Sequence, residues 1–348
     1  MIRSFGAARA TGAARATRSA VAVAILAALL AACTPATTEE SPPAEPTAAA
    51  SAGPTPTPDL SIDYPLELTD DEGGAVVLER APERIVSLTP AVTETLFAIG
   101  AGDLIVGNDD FDDYPPEAAE IEPVATYAGV DVEKVVALAP DLVIAGGQGF
   151  TNPESVAKLR SLGIQVLVVH ASDVAGVLAD IRLVGLAANR LEAAEAIVGK
   201  MAAGIDALIE AIGSRPTPRV FYEIDATQDI YGPADGSFLA EMIELAGGIP
   251  VTTGSPTVYS IPLEVLVAAD PEVIVLGDAN YGVTVEQVAA RPAWQSITAV
   301  KSGAIRPVND TVVTRPGPRL VEGLRELALA IHGEIELPPA PVIPPLGE

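Results

Sequence analysis

Two glutamates stand out by their spacing. Glu133 lies in VEKVVALAPDLVIAGG (132–147) and Glu264 in LEVLVAADPEVIVLGD (263–278); each stands seven residues ahead of a proline, and the segments begin 131 residues apart. A carboxylate in the first turn of a helix gains about 0.3–1 kcal/mol from the helix dipole, which alone accounts for one such residue. Matched placement in two segments points instead to a paired contact with a partner that is itself two-fold, with charge setting the register.

The aromatic residues carry a second signal. The chain has 7 Tyr, 6 Phe and 1 Trp, and Phe111, Tyr114, Tyr127, Phe150, Tyr231, Tyr259 and Tyr281 fall in segments read as loops. Core packing claims such rings first, so their placement offers flat apolar surfaces to a sizeable ligand. Tyr114, directly before Pro115, is the one best read as a loop anchor. Polar candidates are Asn108, Asp109, Asp110 and Asp112 early in the chain, and Asp310, Arg315 and Arg319 in NDTVVTRPGPR. Arg315 is the strongest of these because it sits between a strand end and the terminal helix.

Catalytic and metal chemistry find little support, and neither a catalytic residue nor a cofactor is expected. There is no GxSxG nucleophile elbow, and Ser237 in DGSFLAE lacks an evident histidine partner. Asp109 and Asp112 are too generic a pair to imply acid/base work. A bare zinc or manganese site needs several imidazoles, and only His170 and His332 exist. His170, at a strand end, could line the cleft but is read first as a packing or capping residue, and His332 as placed favourably near the end of the last helix. The single cysteine, Cys33, excludes disulfides and thiolate metal sites.

The elements that position these residues follow from periodicity. In the first repeated segment VEKVVALA has a helical apolar pattern, and DLVIAGG is a continuous apolar run ending in glycines, as in a buried parallel strand leading into a loop. LEVLVAA and EVIVLGD repeat this around Pro271. Arg84 opens a strand, RIVSL, followed by a helix at TETLFAIGAG, and Arg219 opens RVFYEI, followed by a helix at SFLAEMIELAGG. Each half therefore reads as βα repeats around a parallel sheet. The fold class is α/β: two lobes with parallel-rich sheets joined by one long α-helix. Loops after the strands form the binding edge of such sheets, which puts a ligand cleft between the lobes. The joining helix, Leu191 to Ile212, has 22 residues, about 33 Å at 1.5 Å per residue, and limits hinge motion.

Residues 1–33 read as an export signal. Arg3, Arg9, Arg15 and Arg18 precede the apolar run AVAVAILAALLAA, which is too short to span a bilayer comfortably. Residues 34–60, rich in Pro, Thr, Ala and Glu, form a tether that could reach roughly 80 Å if extended at about 3.1 Å per residue. The expected organisation continues with a first lobe at 61–190, the joining helix at 191–213, a second lobe at 214–336 and a proline-rich tail at 337–348 that forms neither helix nor central strand. Without the signal, 16 basic residues face 47 acidic ones, a net charge of −31. That surface repels nucleic acid.

Several motifs, SLTPAVTE, DYPPEA, YAGVDVEKVVALAPDLVIA, SFLAEMIELAGG and RPGPR, together resemble the substrate-binding proteins of ABC importers for ferric siderophores, haem and vitamin B12, and above all the vitamin B12-binding branch. The resemblance covers roughly residues 83–333. It implies a non-catalytic, monomeric receptor whose lobes hold a bulky metal chelate with little hinge motion, and whose two glutamates, here Glu133 and Glu264, meet arginines of a dimeric permease. LAAC, ending in Cys33, is similar to a lipoprotein lipobox, which implies a lipid anchor holding the exported protein on the outer face of the cell membrane. Carried residue by residue, the corrinoid site falls on Phe111, Tyr127, Tyr231, Asp310 and Arg315, with Tyr259 beside Val258. Two positions depart from the pattern: tryptophans expected there are Gly146 and Val258. A ferric siderophore is therefore an equal expectation to cobalamin, ahead of haem. Alternatives of other classes are an extracytoplasmic ligand sensor, which keeps the cleft but has no need of the paired glutamates, and an exported hydrolase.

Overall fold

The computed structural model describes residues 61–147 and 149–343. Cys33, the export segment and the tether lie outside the described residues. A hairpin of β1 (Leu66–Thr69) and β2 (Ala75–Leu78) precedes the first large sheet. That sheet contains β3 (Ile85–Ser87), β4 (Ile105–Asp109), β5 (Pro123–Thr126), β6 (Gly129–Val130), β7 (Leu142–Gly146) and β8 (Val166–Val169), in the order β6-β5-β4-β3-β7-β8. All its pairs are parallel except β5 with β6. The second sheet, wholly parallel, contains β9 (Arg219–Glu223), β10 (Ile249–Pro250), β11 (Val273–Leu276) and β12 (Ile305–Pro307), in the order β10-β9-β11-β12. The sheets are separate, and the helix Leu191–Ile212 connects them.

The duplication extends to individual hydrogen bonds. Helix Val132–Ala137 is followed by Ala139 at φ 44 and then Pro140 and β7; helix Leu263–Ala269 is followed by Asp270 at φ 45 and then Pro271 and β11. Left-handed backbone at a non-glycine residue is unusual, and its recurrence at equivalent positions marks one turn used twice. Arg84 donates from Nε and Nη2 to the Leu138 carbonyl (3.0 and 2.8 Å), and Arg219 donates from Nε to the equivalent Ala269 carbonyl (3.0 Å) and from Nε and Nη2 to the next one, of Asp270 (3.0 and 2.8 Å). Their backbone N–H groups bind the carboxylates of Asp141 (3.1 Å) and Glu272 (3.1 Å), each directly after the proline. Each arginine thereby ties the C-terminal end of its glutamate-bearing helix to the start of a strand, satisfying carbonyls that the helix leaves unpaired.

Alternate residues of the strands face different cores, as a sheet covered on both faces requires. Leu142 and Ile144 of β7 face one side, and Val143 and Ala145 the other; Val220 and Tyr222 of β9 likewise oppose Phe221. The outer cores belong to one lobe each. The inner core is continuous through both: Ile144 and Leu167 of the first sheet, Tyr222 and Val275 of the second, and Ile197, Met201, Ile205 and Leu208 of the joining helix belong to one cluster. The joining helix is thus a shared wall of the core as well as a connector. Residues 337–343 form neither helix nor strand. They pack on this core through Leu337, Ala340 and Ile343, and Pro338 accepts a hydrogen bond from Arg325 Nε at 3.2 Å. Gly204 on the joining helix permits the approach, since a Cβ there would stand 3.0 Å from Pro341.

Candidate functional site

The loops that leave β3, β4, β5, β7 and β8 surround a cavity of about 560 Å³. It lies where the carboxyl ends of parallel strands open toward a ligand. Its walls include Leu88 to Val92, Phe111, Tyr127, Phe150 and His170 from the first lobe; Thr314, Arg315 and Pro316 close it from the second. The helix Pro90–Ala98 starts in this wall because Thr89 caps it, accepting from Val92 N–H, and Pro90 occupies its first turn, where no N–H is needed. Tyr127 is 95% exposed, Phe150 66% and Phe111 54%. Large rings left this open are apolar surface offered to a ligand.

Gly146, one of the two departures from the tryptophan pattern, ends β7. A Cβ at this position would lie 2.7 Å from both Phe150 Cβ and Thr89 Cγ2. The bare backbone therefore admits Phe150 to the cavity wall, where it meets His170 with ring centroids 6.4 Å apart. His170 is exposed on that wall, and its backbone N–H donates to Asp71 Oδ2 at 2.6 Å. Its position differs from the packing role expected of it. His332 stands in the last turn of its helix, and its Nε2 is hydrogen-bonded to the Ala246 carbonyl at 2.9 Å. Ser237 caps helix Phe238–Leu245 through Ala240 N–H. Tyr114 serves as an anchor, lying beneath the Arg319 guanidinium at 4.1 Å.

Of the expected ligand residues, the structure brings Phe111, Tyr127 and Arg315 together around the cavity. Tyr231 and Tyr259 lie on neighbouring second-lobe loops, where Tyr231 bridges Ser260 and Gly232 N–H donates to the Tyr259 carbonyl at 2.9 Å; both rings are partly exposed, and neither lines this cavity. Asp310 also lies off it: its Oδ1 accepts from the Tyr222 hydroxyl at 2.7 Å, and burial raises its pKa. Glu133 and Glu264 are exposed in the first turns of their helices and have no hydrogen-bond or ion-pair partner among the described residues. Each helix runs back to the start of a parallel strand, so both glutamates sit toward the carboxyl-end edge of their sheet.

Arg315 does more between the lobes than toward the cavity. Its Nη1 donates to Glu94 Oε1 at 2.8 Å and Asp113 Oδ1 at 2.6 Å, and its Nη2 to the Phe111 carbonyl at 3.3 Å. Arg319 adds two bonds to Glu94, at 3.0 and 2.5 Å. Glu94, its side chain 1% exposed, is thus held by two arginines of the opposite lobe. RPGPR forms an interlobe clasp. Sequence reasoning passed over Glu94 because a glutamate within an apolar helix of small residues reads as an ordinary surface position.

Asp112 was among the polar candidates, but its burial was missed, as were two further carboxyls, the buried Asp278 and the half-buried Asp180. Burial pushes Asp112 up to about 7, against the pull of the Thr93 hydroxyl 2.5 Å away. It pushes Asp278, beside Glu223, up to about 7 as well; both Asp278 oxygens lack a donor. Asp180, on the cavity wall, is pushed up to about 8 by burial and then by the Asp71 carboxylate. An acidic residue inside the apolar helix VAGVLADIRLVGLA was the available signal for Asp180. Among the described residues no group of histidines, cysteines and carboxylates is arranged to hold a metal, and no helix is long and apolar enough to cross a membrane.

Comparison with known proteins gives a consistent result. A model of the periplasmic binding protein family matches residues 85–310. An uncharacterised ABC transporter substrate-binding lipoprotein of Bacillus subtilis is 32% identical over 274 residues, covering 77% of this chain and 86% of that protein. A cobalamin-binding protein of Halobacterium salinarum is 30% identical over 285 residues, covering 79% and 76%. Among solved structures, the periplasmic heme-binding protein RhuT of Roseiflexus is 28% identical with a TM-score of 0.63, covering 72% of this chain and 98% of that one.

Proposed function

Because the chain belongs to the periplasmic binding protein family, we propose that it is the lipid-anchored receptor of an ABC importer, capturing a bulky metal chelate of the cobalamin or ferric siderophore class and handing it to a dimeric permease. It is an extracytoplasmic substrate-binding protein and not an enzyme. The observation that carries the ligand assignment is the cavity edged by the exposed rings of Phe111, Tyr127 and Phe150. Flat apolar faces of this kind suit the face of a macrocycle or the apolar shell of a wrapped metal. Tyr231 and Tyr259, on the loops of the second lobe, extend the contact to the part of the ligand that stands out of the cavity.

Permease docking is assigned to Glu133 and Glu264. Both are exposed and unpaired among the described residues, and each sits on a helix fixed by an equivalent arginine. Anchoring is assigned to Cys33, from the LAAC sequence and the lipoprotein relative. Calorimetric titration with cobalamin, a ferric trihydroxamate and haem tests the ligand class: at least one binds in the micromolar range or tighter, and failure of all three rejects it. Glu133→Ala with Glu264→Ala tests the handover. Ligand affinity stays at the wild-type value while uptake by cells falls more than about tenfold, and unchanged uptake rejects the docking assignment.

A further inference from the structure

The charge on the cavity wall is one-sided. Among the described residues Arg315 is the one cationic side chain lining it, and its guanidinium is already engaged by Glu94, Asp113 and the Phe111 carbonyl. With Arg319 on the same Glu94, the clasp holds two cations and two carboxylates, leaving no net positive charge for a ligand anion. The other charged lining residues are Asp109 and Asp180. Asp109 accepts from Phe111 N–H at 3.0 Å and turns no cation toward the cavity.

Asp180 has carboxylates for neighbours. Asp71, from the β1–β2 turn, hydrogen-bonds its side chain, and Asp173, at the start of the same helix, adds negative charge. Glu241, from helix Phe238–Leu245, is spent on Val174 N–H at 2.7 Å. His170 reaches Asp71 only with its backbone N–H. Asp70 beside it is taken by Arg160 at 2.5 Å, and Arg182 of the same helix by Glu195. No cation among the described residues pairs with Asp71 or Asp180, so Asp180, which burial and then the Asp71 carboxylate push up to about 8, holds its proton at pH 7 on the wall of a ligand cavity.

Building on the chelate-binding function above, we propose that Asp180, backed by Asp71, makes the cavity select ligands by charge: an ammonium group is preferred to a neutral amide, and an amide to a carboxylate. An ammonium arriving at Asp180 supplies the positive charge that the proton on Asp180 supplies in the free protein. The proton then leaves to solvent, and binding is coupled to its release. A ligand carboxylate at the same place meets like charge with no cation to offset it.

The test uses the full chain and three probes: a ferric trihydroxamate with a terminal primary amine, the same chelate N-acetylated, and haem, which carries two carboxylates. Calorimetry at pH 7 in buffers of different ionisation enthalpy yields affinity and proton release together. The amine chelate binds about tenfold more tightly than its acetylated form, with haem weakest, and only the amine chelate releases protons. In Asp180→Asn the preference falls below about twofold and the release disappears; the wild-type ranking carries the test whether or not that variant folds. Equal or tighter binding of the acetylated chelate or of haem overturns the charge selection while leaving chelate capture standing. Failure of all three probes overturns chelate capture and the selection with it.

Discussion

At the carboxyl ends of β3, β4, β5, β7 and β8 the first lobe leaves threonine, glycine and exposed rings around an open cavity. At the corresponding ends of β9 and β11 the second lobe is filled by its own side chains. Glu223, fully buried, takes two hydrogen bonds from Arg291, which also lies 4.7 Å over the Trp294 ring. Tyr222 reaches Asp310, and Asp278 sits against Glu223. One doubled architecture thus yields a receptor edge and a sealed edge. The strand scaffold supplies the same location twice, and the side chains at its rim decide whether that location is a site. Buried side chains close it, Glu223 and Tyr222 paired and Asp278 packed among them without a donor. What the second lobe contributes to the cavity arrives through Thr314 to Pro316 beside the clasp.

The largest expected effect comes from breaking that clasp. Glu94→Gln leaves Arg315 and Arg319 mostly buried without their shared carboxylate, at a cost of about 3–5 kcal/mol. The thermal midpoint falls by on the order of 10 °C. A fall below about 2 °C would mean that the lobes are joined without it. The next effect tests the equivalence of the halves: Arg84→Ala and Arg219→Ala each remove bonds to a helix-end carbonyl, and chemical denaturation should register about 1 kcal/mol for each. Losses differing by more than about 1 kcal/mol would show that the shared turn has diverged in its work.

The smallest effect sharpens the contrast at the sealed edge. Asp278 stays protonated in the folded chain up to about pH 7, whereas its ordinary value is 3.8. A carboxyl raised in this way adds stability at acid pH that is lost as pH climbs through about 7. Asp278→Asn, neutral throughout, should gain on the wild type between pH 5 and pH 8 by on the order of 1 kcal/mol, seen as a flatter plot of thermal midpoint against pH. A parallel plot would show that Asp278 is ionised in the native state.

Much of this architecture was legible because it is local. The two helix-proline-strand segments betrayed themselves by periodicity, and the 22 residues from Leu191 to Ile212 by an unbroken apolar stripe. The site was legible only in part. Residue type marked Phe111 and Tyr127 as surface-forming, but the direction of a loop side chain is set by distant packing, so nothing local separated them from Tyr231 and Tyr259. Arg315 was noticed for its charge, yet its role depends on Glu94, 221 positions away. Asp71 and Asp180 come together only because the β1–β2 turn folds back against the end of β8, where Asp71 N–H binds the Val168 carbonyl at 3.1 Å.

The inner core shared by both sheets also bears on unloading. Prying the halves apart would bring Met201, Tyr222, Leu324 and their neighbours into water, at a penalty of about 25 cal/mol for every square ångström of apolar surface exposed. Thermal gaping of that kind is as costly as partial denaturation. On the proposed function, release past the rim loops is the cheaper route, with the permease supplying the work that moves them.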